Sequence, residues 1–178
     1  MYPGILHGAQ MSWNGQSLEE DQLGSEIDRL VYDSPKAELG RKILELGKLD
    51  QVMDTYIPNS SLHWTLLFGA KEERFMKFLN KHATQEKLSA GLEHLNQCLK
   101  EFSSFSESPS TSLSVREIKM GIKMTGFSLK RGLSMLEGKS YSENNPQEMV
   151  KEFEDLWIKR ARPGGLKEAS GYLREALS

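Results

Sequence analysis

Thr84-Gln85-Glu86-Lys87-Leu88-Ser89-Ala90-Gly91-Leu92-Glu93-His94-Leu95-Asn96-Gln97-Cys98-Leu99-Lys100-Glu101-Phe102 decides the fold class. Leu88, Leu92, Leu95, Leu99 and Phe102 alternate spacings of four and three residues, which lays one continuous apolar seam along a helix. Thr84 stands at the N-cap, where its hydroxyl can accept a backbone N–H of the first turn. Such a seam needs other helices to cover it. The chain offers them on both sides.

Downstream, residues 103–112 are rich in Ser and contain Pro109, a flexible loop between two antiparallel helices. Ile118, Ile122, Leu129, Leu133 and Leu136 mark the next helix, about 113–137, with Met120, Met124 and Phe127 widening its face. Gly121, Gly126 and Gly132 lie inside it, each costing about 1 kcal/mol of helix propensity relative to Ala, and close approach by a neighbouring helix would account for them. Gly138 is its stop signal. Asn145-Pro146 opens the last long helix, with Met149, Val150, Phe153 and Trp157 on its face. Arg162-Pro163-Gly164-Gly165 breaks it before a final helix, Leu166–Leu177.

Upstream, Ser17-Leu18-Glu19-Glu20 has the form of a capping box before a helix over 18–32, with Leu23, Ile27, Leu30 and Val31 at helical spacing. Ser34-Pro35 starts a second helix carrying Ala37, Ile43, Leu44 and Leu46. Ile57-Pro58 breaks the chain, and Asn59 or Ser60 can cap a short segment, Leu62–Phe68. Only Leu6–Gly15 reads differently, as a strand closed by Trp13. A lone strand in a helical chain has nothing to pair with, so it reads as the last strand of a larger sheet. The expected architecture is therefore all-α: a helical bundle over 17–178 behind a residual strand, 1–16, left from a larger sheet.

Composition narrows the function. The 178 residues hold 38% hydrophobic side chains, enough for a core that buries roughly 70% of the unfolded surface. Lys and Arg number 23 against 25 Asp and Glu, a net charge of -2 that argues against a nucleic-acid partner. No apolar run reaches the roughly 18 residues of a membrane span. No signal peptide is visible, which favours the cytoplasm. Cys98 is alone, and the histidines at 7, 63, 82 and 94 lack zinc-site spacing, so no metal or cofactor is expected. Gly121 and Gly126 are spaced like a phosphate loop's glycines, but Phe127 stands where the lysine belongs. Arg116, Lys119, Lys123 and Lys130 share a helix face and read as solvated surface, as do Glu19-Glu20-Asp21, Glu72-Glu73 and Glu152/Glu154-Asp155. Trp64 and Trp157 sit within apolar patterns and read as core. No catalytic residue stands out.

Three pieces in order resemble one family. Gly8-Ala9-Gln10-Met11-Ser12-Trp13 looks like the last barrel strand of the β-N-acetylhexosaminidases, glycoside hydrolase family 20. Leu39-Gly40-Arg41 through Leu46-Gly47, then Ile57-Pro58-Asn59-Ser60-Ser61, is similar to the helical region behind the barrel in some bacterial members. Leu156-Trp157, Arg160, Arg162-Pro163-Gly164-Gly165-Leu166 and Ser170 look like their C-terminal end. The resemblance implies that Trp13 lines a sugar pocket, stacking its ring on a pyranose face. In that family the substrate's acetamido oxygen attacks the anomeric carbon, an Asp holds the group and the adjacent Glu is the acid, a departure from two-carboxylate hydrolysis. This chain has no Asp-Glu dipeptide, and Gly15 stands where better-known members place a sugar-binding Glu. The expectation is a C-terminal helical region of a hexosaminidase-like glycoside hydrolase. Its partners would be the catalytic barrel and an N-acetylhexosamine glycan, and it would not be catalytic alone. The alternative is a free-standing helical interaction module that binds a partner helix through its seam and methionines.

Overall fold

A computed structural model describes residues 5, 8–9, 12, 19–33, 38–57, 61–69, 75–105, 111–141 and 145–178. Every regular element among the described residues is helical: α1 Glu20–Leu30, α2 Leu39–Leu46, α3 Leu49–Val52, α4 Leu62–Phe68, α5 Phe75–His82, α6 Gln85–Ser103, α7 Ser112–Leu136, α8 Pro146–Arg160 and α9 Leu166–Leu177. The all-α class is thereby established. The expected strand is not seen among the described residues. Gly8, Ala9 and Ser12 are helical, and the Ser12 hydroxyl donates to the Gly8 carbonyl four residues back at 2.8 Å. Without partner strands, local i to i−4 bonding is the way open to these backbone groups. Trp13 and the rest of Leu6–Gly15 lie outside the described residues, as do Ser34 and Pro35.

Capping follows the sequence at three of the long helices and shifts at two others. Thr84 Oγ1 accepts from Lys87 N–H at 3.2 Å, and Asn145 Oδ1 accepts from Glu148 N–H ahead of Pro146. Gly138 has φ of 71°, the left-handed form that ends α7. At α1 the cap is Glu19 rather than Ser17, with Gln22 Oε1 accepting from Glu19 N–H. At α4 it is Ser61, whose Oγ accepts from Trp64 N–H. The helix α5 was not foreseen, because Phe75 and Leu79 alone carry its buried face.

The long helix α7 organises the body by burying two stripes. Val115, Ile122 and Leu129, each seven residues apart, join the larger core cluster with Leu39, Met53, Leu62, Leu66, Phe75, Leu79, Leu88, Leu95 and Phe102. Met120 and Phe127, also seven apart, join a second cluster with Leu67, Val150, Leu156, Leu173, Ala176 and Leu177. Helix α6 packs along α7 on the first side, with α2 and α3 behind it. Helix α8 lies against α7 on the second side and pairs with α9. Short α4 bridges the two, sending Leu62 and Leu66 to one cluster and Leu67 to the other.

The seam of α6 is consumed inside this chain: Leu88, Leu95 and Phe102 are buried, and Leu92 and Leu99 pack half-buried against the same core. It is therefore not a free face for a partner helix. Of the three glycines in α7, only Gly132 marks a close approach; a Cβ there would stand 2.9 Å from Leu66 Cδ2 and 3.0 Å from Leu88 Cδ1. Gly121 and Gly126 have nothing within 4 Å. A tighter contact joins α1 to α2, where a Cβ on Gly40 would collide with the Gly24 carbonyl oxygen. Buried Asp28 of α1 accepts from Gly40 N–H at 2.8 Å, so an acid on one helix satisfies the open N-terminus of the next. Burial raises the Asp28 pKa even though the backbone N–H groups of Gly40 and Leu39 pull it down.

Candidate functional site

A largely apolar concavity lies on the second side of α7, between α4, α8 and α9. It starts from α4. With Leu62, Leu66 and Leu67 turned to the cores, helical geometry leaves Trp64 and Phe68 together at i and i+4, their ring centroids 4.4 Å apart. Trp64 is 60% exposed, contrary to its expected core position. Across the groove α9 buries Leu173 and Ala176 but leaves Tyr172 59% exposed. Half-buried Met124 of α7 and Phe153 of α8 complete an apolar floor, and the space enclosed is about 670 Å³. A largely apolar pocket of this size with one or two polar groups has the usual make-up of a small-molecule site.

The polar group is Arg131. One terminal nitrogen donates to the carbonyls of Ala176 at 2.8 Å and Leu67 at 3.4 Å, in the last turns of α9 and α4. Cations suit such positions because the last carbonyls of a helix have no intrahelical donor. The guanidinium carbon stands 5.9 Å from the Phe127 ring centroid. Burial lowers the Arg131 pKa, and no carboxylate pairs with it among the described residues. Glu175 also lines the groove but is exposed.

Two other clusters bring nucleophilic and titratable side chains together. Ser61 Oγ lies 3.3 Å from His63 Nε2, while His63 Nδ1 and Asp50 Oδ1 are both buried without a hydrogen-bond partner. Burial pushes the His63 pKa down, and the Asp50 charge opposes this in part. Ser61 is already engaged as the α4 cap, and neither Ser61 nor His63 lines the groove. Cys98 is buried with its sulfur 3.7 Å from His94 Nε2, and burial with the nearby Glu101 and Glu45 raises the thiol pKa. That is the setting of an inert thiol.

Of the acidic residues expected at the surface, Glu152 pairs with Lys123 and Glu154 with Arg174 at 2.6 Å, and Asp155 is exposed, while Glu72 and Glu73 lie outside the described residues. Among the described residues no group of three His, Cys, Asp or Glu could hold a metal ion, and no helix is long and apolar enough to cross a membrane. Trp13, the one residue expected to touch substrate, lies outside the described residues. Trp157 is half-buried and donates its indole N–H to the Arg162 carbonyl at 3.1 Å. The groove was missed because its wall residues come from four separate segments. The available signal was the Trp64-x-x-x-Phe68 pair on a helix too short to bury all of its large side chains. No protein-family profile matches this chain, and neither a curated protein nor a solved structure shows significant similarity to it.

Proposed function

We propose that this chain is the helical region of a hexosaminidase-like glycoside hydrolase, packing behind a catalytic barrel and not hydrolysing glycans by itself. The observation that carries the reading is the α8–α9 corner, where the residues of the third resembling piece meet. Leu156 is buried in the second cluster. Trp157 holds the Arg162 carbonyl, and its Cζ2 would stand 3.6 Å from a Cβ on Gly165, whose φ of 83° turns the chain. Arg160 reaches Glu117 with two nitrogens at 2.9 and 2.8 Å and Ser114 at 3.1 Å, fastening the end of α8 to α7. Ser170 is buried and accepts from Arg174. A motif whose Trp157, Arg160 and Gly165 hold a helix corner reads as an architectural motif. Gly40 in the second piece has the same character, pressed on Gly24.

In this reading the barrel supplies the acid and the acetamido-orienting carboxylate, and its neighbouring strands pair with the segment ending in Trp13. Trp13 then offers a flat apolar face to the N-acetylhexosamine. The test is release of p-nitrophenol from its N-acetylglucosaminide. The 178-residue chain alone gives no turnover, the chain joined to its barrel does, and Trp13→Ala in the complete protein lowers that turnover. Hydrolysis by the chain alone, abolished by a substitution within it, overturns the proposal.

A further inference from the structure

We propose that the groove between α4, α7, α8 and α9 binds a single-chain amphiphile with an anionic head, a medium-chain carboxylate whose acyl chain lies against Trp64, Phe68, Phe153 and Tyr172 and whose carboxylate pairs with Arg131. The shape argues for a small molecule: about 670 Å³ of concave, mainly apolar space falls in the range of ligand pockets and is not a broad flat patch. The charge argues for the head group. Whatever fills the groove also strips water from Arg131, and a desolvated cation without a counter-charge is costly. A neutral or cationic occupant leaves that cost in place, whereas a carboxylate removes it.

The guanidinium is ready for the role. Two of its five N–H donors hold the Ala176 and Leu67 carbonyls and fix its plane. The other three have no partner among the described residues, yet none is sealed from solvent, since the buried unpartnered side-chain atoms there are Asp50 Oδ1 and His63 Nδ1. A forked donor held in place suits a carboxylate's two oxygens. Glu175 at the rim is solvated, so its repulsion is screened. Burial also lowers the Arg131 pKa, in keeping with a cation short of counter-charge.

Calorimetric titration of the full chain with sodium decanoate, 1-decanol and decyltrimethylammonium, each below its micellar concentration, tests this. Decanoate is expected to bind one to one and at least tenfold tighter than decyltrimethylammonium. Arg131→Gln should erase that preference while leaving decanol binding in place. Should loss of the two carbonyl contacts unfold that variant, Tyr172→Asp serves instead. It takes an aromatic wall from the acyl site and should weaken decanoate and decanol alike, at least tenfold, at unchanged thermal midpoint. No saturable decanoate binding, or equal binding of the anionic and cationic probes, overturns the proposal. So does a concentration-dependent dimer that Tyr172→Asp abolishes, because the occupant is then a second copy of the chain.

Discussion

The two sides of α7 are built from similar residues and end in different states. On the first side Val115, Ile122 and Leu129 meet α4, α5 and α6, and the cluster closes: Leu62, Leu66, Leu79, Leu88 and Phe102 have no measurable exposure. On the second side Met120 and Phe127 meet α8 and α9, and the cluster stays open, with Trp64 and Tyr172 left in water beside buried Leu173. Closure depends on coverage. The first stripe is met by a helix of 19 residues lying along α7, and the second by a 15-residue helix, a 12-residue helix and one edge of α4. The closed side supports the fold, and the open side is where the chain can bind something.

The largest effects should separate the two sides. Leu95→Ala, on the closed side, is expected to cost about 2–5 kcal/mol, the range for deleting a buried leucine that its surroundings cannot collapse around. Leu92→Ala, half-buried on the same seam, should cost less, and Tyr172→Ala on the open side should fall within about 0.5 kcal/mol of the parent. Urea midpoints at constant slope measure all three. Equal losses at Leu95 and Tyr172 would dissolve the distinction between a closed and an open side.

Glycines in α7 probe it with opposite signs. Gly132 faces Leu66 and Leu88, so Gly132→Ala pushes a methyl into a filled core and should destabilise by about 1–3 kcal/mol. Gly126 has open space around its Cβ position, so Gly126→Ala should stabilise by about 0.5–1 kcal/mol through backbone entropy and helix propensity. Thermal unfolding of the pair reads both signs. A loss at both positions would mean that the cleft beside Gly126, between α6 and α8, is filled.

The closed side was the legible one. Its seam repeats at three and four residues, its helix begins at a threonine cap, and its loop is a serine run, all local signals. The second stripe of α7 was visible only as a widened face, because Met120, Met124 and Phe127 do not announce which neighbour covers them. The Asp28–Gly40 bond joins residues 12 apart, and Arg131 reaches 45 residues on to Ala176. Such pairings are tertiary and leave no period in the sequence. The exposure of Trp64 has the same origin. On a seven-residue helix that already sends three leucines inward, the indole has nowhere left to go. The strand expectation at Leu6–Gly15 rested on a partner sheet, and where the segment is described it takes the local alternative, helix.

The smallest effect expected concerns how each side handles a polar group. Arg131 on the open side keeps contact with water, whereas His63 on the closed side has a buried Nδ1 with no partner. Burial holds its pKa below the ordinary 6.5. As pH falls through 6.5 the unfolded chain takes up the proton first, while the native site resists it. The stability that neutral His63 permits is thus complete above 6.5 and is lost toward the lower native pKa. Urea midpoints at pH 7.5 and 5.5 should show the parent weakening over this interval, and His63→Gln should flatten that share of the slope. Gln removes the titration but keeps a polar side chain. Were protonated His63 instead to gain a net-favourable pair with Asp50, the parent's share of the slope would reverse and stability would rise on acidification. Parallel slopes for parent and variant would place the acid sensitivity elsewhere.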